Sequence, residues 1–119
     1  MSASLFDRLG GETGITRITS DLVDNHLRNP TIAARFAATD AARLKALAAA
    51  FVISGTGGPA IYQGKEMRAA HAGMNINDAE FMAVVDDAMQ ALDKNGIGQR
   101  EKEEILFILY SLRPDVVRI

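Results

Sequence analysis

The stretch Met67-Arg68-Ala69-Ala70-His71-Ala72-Gly73-Met74 sets one imidazole among methionines and alanines, shortly after the glycine-rich run Gly55-Thr56-Gly57-Gly58-Pro59. An imidazole near the end of a short helix, in an apolar wall, has two readings. One is a structural histidine satisfied within the core, the commoner fate of a lone inward-facing histidine. The other is an iron ligand, because haem iron is commonly held by a single histidine in a hydrophobic crevice. The chain has only two histidines, so the choice rests on what surrounds this one.

Working outward, the hydrophobic period is helical throughout and no alternating segment reads as a strand, so the fold class is all-α. The spacing predicts a short helix from Leu5 to Leu9, stopped by Gly10-Gly11. A second helix runs from Gly14 to Arg28 and ends at Asn29-Pro30, since the residue before proline avoids helical backbone. A turn from Thr31 to Phe36 leads to Asp40, which reads as the N-cap of a helix from Ala41 to Ser54. After the loop Gly55 to Gly64, a helix from Lys65 to Ala72 carries His71. Two longer helices, Asn77 to Asn95 and Arg100 to Leu112, flank Gly96-Ile97-Gly98.

Two apolar faces need attention. On the helix from Ala41, Leu44, Leu47, Ala48, Phe51 and Val52 share one side at i, i+3, i+4, i+7, i+8, with Arg43 and Lys45 at its flanks. That is either an ordinary amphipathic helix with solvated basic edges or a cofactor-facing wall whose cations reach carboxylates. On the helix from Gly14, Ile15, Ile18, Leu22, Val23 and Leu27 share a face and His26 points near its centre. An inward imidazole needs a hydrogen-bond partner or a ligand.

Composition bounds the rest. At 119 residues, 48% hydrophobic and 24% charged, the chain is expected to form one soluble domain spanning residues 1–119. Thirteen basic against fifteen acidic residues leave a net charge of −2, so no nucleic-acid footprint is present. The absence of cysteine excludes disulfides and thiolate chemistry. The opening Met1-Ser2-Ala3-Ser4-Leu5-Phe6-Asp7 lacks a basic region followed by an apolar run, and no stretch is long enough to span a bilayer, so the expected location is the cytoplasm. No Ser-His-Asp arrangement, phosphate loop or zinc spacing is visible.

Taken together, Ser4-Leu5-Phe6-Asp7-Arg8-Leu9-Gly10-Gly11, Asn29-Pro30, Phe36, Phe51, Gly57-Gly58-Pro59, Tyr62, Gly64, Met67-Arg68, Ala70-His71 and Phe81 resemble the truncated haemoglobins of group I type. The resemblance covers nearly the whole chain. It implies a shortened globin, two pairs of helices stacked two over two on haem b (iron protoporphyrin IX). It makes His71 the proximal iron ligand, best held if its second ring nitrogen donates to a backbone carbonyl one turn earlier. It places Phe36, Leu44, Leu47, Phe51, Tyr62, Met67, Met74, Ile76 and Phe81 against the porphyrin, and Arg43 and Lys65 near its propionates. The partners it implies are the diatomic gases O2, NO and CO and an unidentified reductase, with no nucleic acid or membrane and a monomer or weak dimer.

The distal side departs from that family. Where group I members usually carry a Phe-Tyr pair on the first long helix, this chain has Leu22-Val23. Where a glutamine or histidine often follows, it has Leu44, Leu47 and Ala48. The distal pocket implied, Val23, His26, Leu44, Leu47 and Ala48, is apolar except for His26, which could approach from behind. The expected function is thus reversible gas binding or oxygen carriage at a five-coordinate iron. The alternatives are a haem enzyme, either a nitric oxide dioxygenase or peroxidase-like, and a sensing or haem-free helical module.

Overall fold

A computed structural model describes residues 3–119. Met1 and Ser2, the start of the stretch read for a secretory signal, lie outside the described residues. The elements are α1 (Leu5–Arg8), α2 (Gly11–Arg28), a 3-10 turn (Ala33–Phe36), α3 (Ala41–Gly55), α4 (Met67–His71), α5 (Asp78–Lys94), α6 (Gln99–Leu112) and a second 3-10 turn (Arg113–Asp115). Helix α2 packs on both α3 and α5, and α5 packs on α6. The result is two pairs of helices stacked two over two, with α1 bracing one end. No helix among the described residues is long and apolar enough to cross a membrane.

Local chemistry sets the boundaries. Ser4 caps α1 by accepting from the Asp7 amide, and the Phe6 amide donates to the Thr56 carbonyl, which fastens α1 to the end of α3. The chain then reverses through Gly10 and Gly11, both at positive φ (98° and 65°), a conformation that favours glycine. Helix α2 therefore begins at Gly11, three residues earlier than its apolar period suggests. Gly14 lies inside its first turn, where a Cβ would sit 2.2 Å from the Leu9 carbonyl oxygen. Asp40 caps α3 as expected, accepting from the Ala42 and Arg43 amides. Asn77 and Glu80 form a reciprocal capping box at the start of α5.

Apolar burial holds the pairs together, each fully buried leucine or isoleucine contributing about 1.5–3 kcal/mol. One cluster joins Leu5 and Leu9 of α1 with Ile15 and Ile18 of α2, Ile53 of α3, and Ala91 and Leu92 of α5. A second gathers Phe81, Val85 and Val117. Leu27, expected on the apolar face of α2, is 37% exposed because it lies in the last turn, beyond the reach of these clusters. Residues 117–119 brace the loop after α4. Ile76 and Val117 form an isolated parallel bridge, the Arg118 amide donates to the Ile76 carbonyl, and Gly73 and Asn75 donate to the Ile119 carbonyl.

Candidate functional site

Helix α4 is shorter than its sequence suggests, Met67–His71 rather than Lys65 to Ala72. The reason lies just upstream. Tyr62 turns its hydroxyl onto the Lys65 carbonyl at 2.7 Å, and its ring occupies the space beside Gly64, where a Cβ would lie 2.3 Å from the hydroxyl oxygen. Ser54 at the end of α3 accepts from the Ile61 and Tyr62 amides, so the glycine-rich loop is anchored where it leaves that helix. Tyr62 then meets Phe51 of α3 edge-on, ring centroids 5.2 Å apart.

The single turn of α4 fixes the imidazole. His71 Nδ1 lies 2.7 Å from the Met67 carbonyl oxygen, one turn earlier. A carbonyl can only accept, so Nδ1 carries a hydrogen, and in the neutral ring Nε2 then keeps its lone pair. That is the protonation state a neutral histidine needs in order to coordinate a metal. One imidazole cannot hold a metal alone, and no group of three or more His, Asp or Glu side chains gathers for one among the described residues. A single imidazole of this kind is compatible with a metal whose other donors come from a macrocycle.

The apolar side chains expected at the cofactor share one trait. Phe36, Leu44, Leu47, Ala48, Phe51, Tyr62, Met67 and Met74 are all half-buried and belong to neither packed cluster. Of the α3 stripe read from periodicity, Val52 packs against the first cluster, whereas Leu44, Leu47, Ala48 and Phe51 do not. Ala49 and Ile53 are the side chains α3 buries, and the stripe leaves its apolar surface partly uncovered. Such surface fits a flat apolar group. Ile76 and Phe81 differ: both are buried, Phe81 within the second cluster and edge-on to Tyr110. Arg43 and Lys65 are exposed and join no ion pair among the described residues, whereas Lys45 pairs with Asp24 at 2.8 Å.

Of the residues expected on the distal side, Val23 is fully buried, and Leu44, Leu47 and Ala48 carry no hydrogen-bonding side chain. His26 is inward, as its place on α2 suggests, and its partner is one that sequence reading missed. Its Nδ1 lies 2.7 Å from Oδ2 of Asp87 on α5, and both residues are buried. Asn29 donates to the same carboxylate, and the His26 ring stacks on Phe36 at 5.7 Å and 9°. The available signal was an acid set between Ala83, Val84 and Ala91 on α5, opposite a histidine in an apolar stripe.

A second clamp reaches the loop beyond His71. Arg35, next to Phe36, pairs with Glu80 and donates to the Met74 carbonyl at 3.1 Å. That guanidinium holds the Glu80 carboxyl below its ordinary range, against a weaker opposing effect of burial.

A family model described as bacterial-like globin matches residues 4–118, nearly the entire chain. The chain belongs to the bacterial-like globin family. Among its relatives are the group 1 truncated haemoglobin of Mycolicibacterium paratuberculosis, 28% identical over 96% of this chain and 84% of that protein, and one from Nostoc sp., 27% identical over 87% and 88%. The truncated haemoglobin of Tetrahymena pyriformis, at 24% identity, shares the fold with a TM-score of 0.94 over 98% of this globin and all of that chain. The 2/2 haemoglobin of Synechococcus sp., solved with covalently attached haem, is 26% identical with a TM-score of 0.89 over 97% and 98%. The two-over-two arrangement expected from the resemblance is therefore the fold of this globin.

Proposed function

We propose that this globin binds haem b with His71 as the proximal iron ligand and reversibly takes up diatomic gases (O2, NO and CO). The observation that carries the reading is the His71 Nδ1 hydrogen bond to the Met67 carbonyl, which in the neutral ring leaves the Nε2 lone pair free, in a chain whose α3 stripe is only half-buried. When bound, the haem supplies iron with one open coordination position for a gas. Everything else is the work of the chain. His71 presents a neutral donor, Leu44, Leu47 and Phe51 of α3 with Met67 and Met74 exclude water, and Arg43 and Lys65 are the cations free to meet propionates. Ile76 and Phe81 support the same wall from their packed positions.

Specificity follows from what the distal residues lack. Val23, Leu44, Leu47 and Ala48 offer no donor to a gas that has drawn negative charge from iron, and a hydrogen bond to such a group contributes about 1.5–3 kcal/mol. Its absence speeds oxygen release by roughly 10- to 150-fold if uptake is unchanged. CO depends little on such a bond, so the pocket favours CO over O2. The same lack disfavours nitric oxide dioxygenation, and peroxidase-like work needs a distal acid–base group. The reading is that of a cytoplasmic gas binder or carrier, served by a reductase, rather than an enzyme.

Absorption spectra of the ferric, ferrous and carbonyl forms test this. Wild type is expected to show a Soret band and a five-coordinate ferrous spectrum, and His71→Ala to lose or greatly weaken haem uptake. A folded protein that takes up no added haem, or a His71→Ala variant with an unchanged spectrum, would remove the proposal.

A further inference from the structure

The buried pair His26–Asp87 has no part in the gas chemistry just described, yet it is built with care. Asp87 accepts from His26 Nδ1 at 2.7 Å and from Asn29 Nδ2 at 3.2 and 3.3 Å on its two oxygens. Its backbone carbonyl accepts from Asn25 at 3.1 Å. Asn29 also directs the turn that leads to Phe36, since its carbonyl accepts from the Ile32 and Ala33 amides and its side-chain oxygen from Thr31. One carboxylate on α5 therefore holds both the end of α2 and the start of the turn carrying Phe36. Across that turn the imidazole lies nearly parallel to the Phe36 ring.

A phenylalanine at the edge of a half-covered apolar surface can rotate about two side-chain bonds. A parallel neighbour held by a buried hydrogen bond removes that freedom. We propose that His26 is a positioning residue for Phe36: anchored by Asp87, the imidazole sets the plane in which the phenyl ring meets the haem. The idea rests on the haem reading above. His26 neither touches the gas nor ligates iron in this account. An aromatic pair stabilises by an amount equivalent to about a 2- to 12-fold change in an equilibrium, which sets the size of the effect to look for.

Two substitutions separate the ring from the hydrogen bond. His26→Asn places an amide donor near the position of Nδ1 but has no ring for Phe36. His26→Phe keeps a flat ring but cannot donate to Asp87. The haem-loaded proteins are compared by the rate of haemin transfer to excess apomyoglobin and by the nuclear Overhauser contacts of the Phe36 ring protons with haem methyls in the cyanide-ligated ferric state. His26→Asn should speed haemin loss about 2- to 12-fold and weaken those contacts, while His26→Phe, which keeps the ring but loses its anchor, falls between His26→Asn and wild type in both. A His26→Asn protein matching wild type in both would overturn the proposal, as would a His26→Phe protein as impaired as His26→Asn.

Should His26→Asn fail to fold, Asp87→Asn still offers an oxygen to Nδ1 at unchanged volume. Retained Phe36 contacts in that variant support the stack, and their loss refutes it. A wild type that binds no haem would instead overturn the functional reading, so the two failures are distinct.

Discussion

At position 71 the neighbour selects the tautomer of the neutral ring. A carbonyl at 2.7 Å from Nδ1 admits one tautomer, and the other nitrogen is left as a donor to metal. On the distal side proposed above, Val23, Leu44, Leu47 and Ala48 have no side-chain donor. If that lack governs oxygen release, restoring a donor should reverse it. Val23→Tyr or Leu44→Gln is expected to slow oxygen dissociation by roughly 10- to 100-fold, with CO release little altered. Stopped-flow displacement of O2 by CO measures it, and an unchanged rate in both variants would show that the pocket already has a donor. His26 was legible as inward-facing from its place in the α2 stripe. Its partner was not, because pairing between α2 and α5 depends on how the helices cross, which no spacing within one helix encodes.

The elements were legible where local chemistry is strong. Asp40 at an N-cap, Asn29-Pro30 at a helix end and Asn77 ahead of α5 mark boundaries with their own hydrogen bonds. The errors came where distant groups intervene. Helix α4 starts two residues late, after the Tyr62 contact to Lys65, and α2 starts three residues early through two glycines at positive φ. The same α2 entry gives a sharp test. At Gly14 a methyl group would press into the Leu9 carbonyl, a backbone atom that cannot step aside. Gly14→Ala is expected to lower stability by about 2–3 kcal/mol despite the higher helix propensity of alanine, read as a reduced urea midpoint. A gain in stability would mean that α2 enters at a different angle. The α3 stripe teaches a related point: period identifies an apolar face but not what covers it, and here only Val52 of the stripe packs on a cluster.

Across the molecule, charged clamps join parts far apart in sequence. Arg8 grips Glu101 and Glu104 of α6, and Arg35 grips Glu80. Arginine holds the Glu80 and Glu104 carboxyls below their ordinary range, and Asn95 with Lys94 does the same for Asp21. For a lowered carboxylate the contribution is complete above the unfolded pKa, near 4.3 for glutamate, and is lost as pH falls through the folded value. Thermal midpoints should therefore be flat near neutrality and decline below about pH 4.5. Glu80→Gln should show a smaller decline than wild type, because the protonatable group is gone. An identical slope in that variant would mean the Arg35 clamp contributes nothing, the common outcome for exposed pairs.

Residues 117–119 also set a timetable. A chain emerging from the ribosome makes the turn that carries His71 before the backbone partners of Gly73, Asn75 and Ile76 have been synthesised. Until those partners arrive, the segment behind His71 has only its own short-range bonds, and a single helical turn is marginal in water. On the proposed function, haem capture by His71 is expected to wait until residues 117–119 have been made.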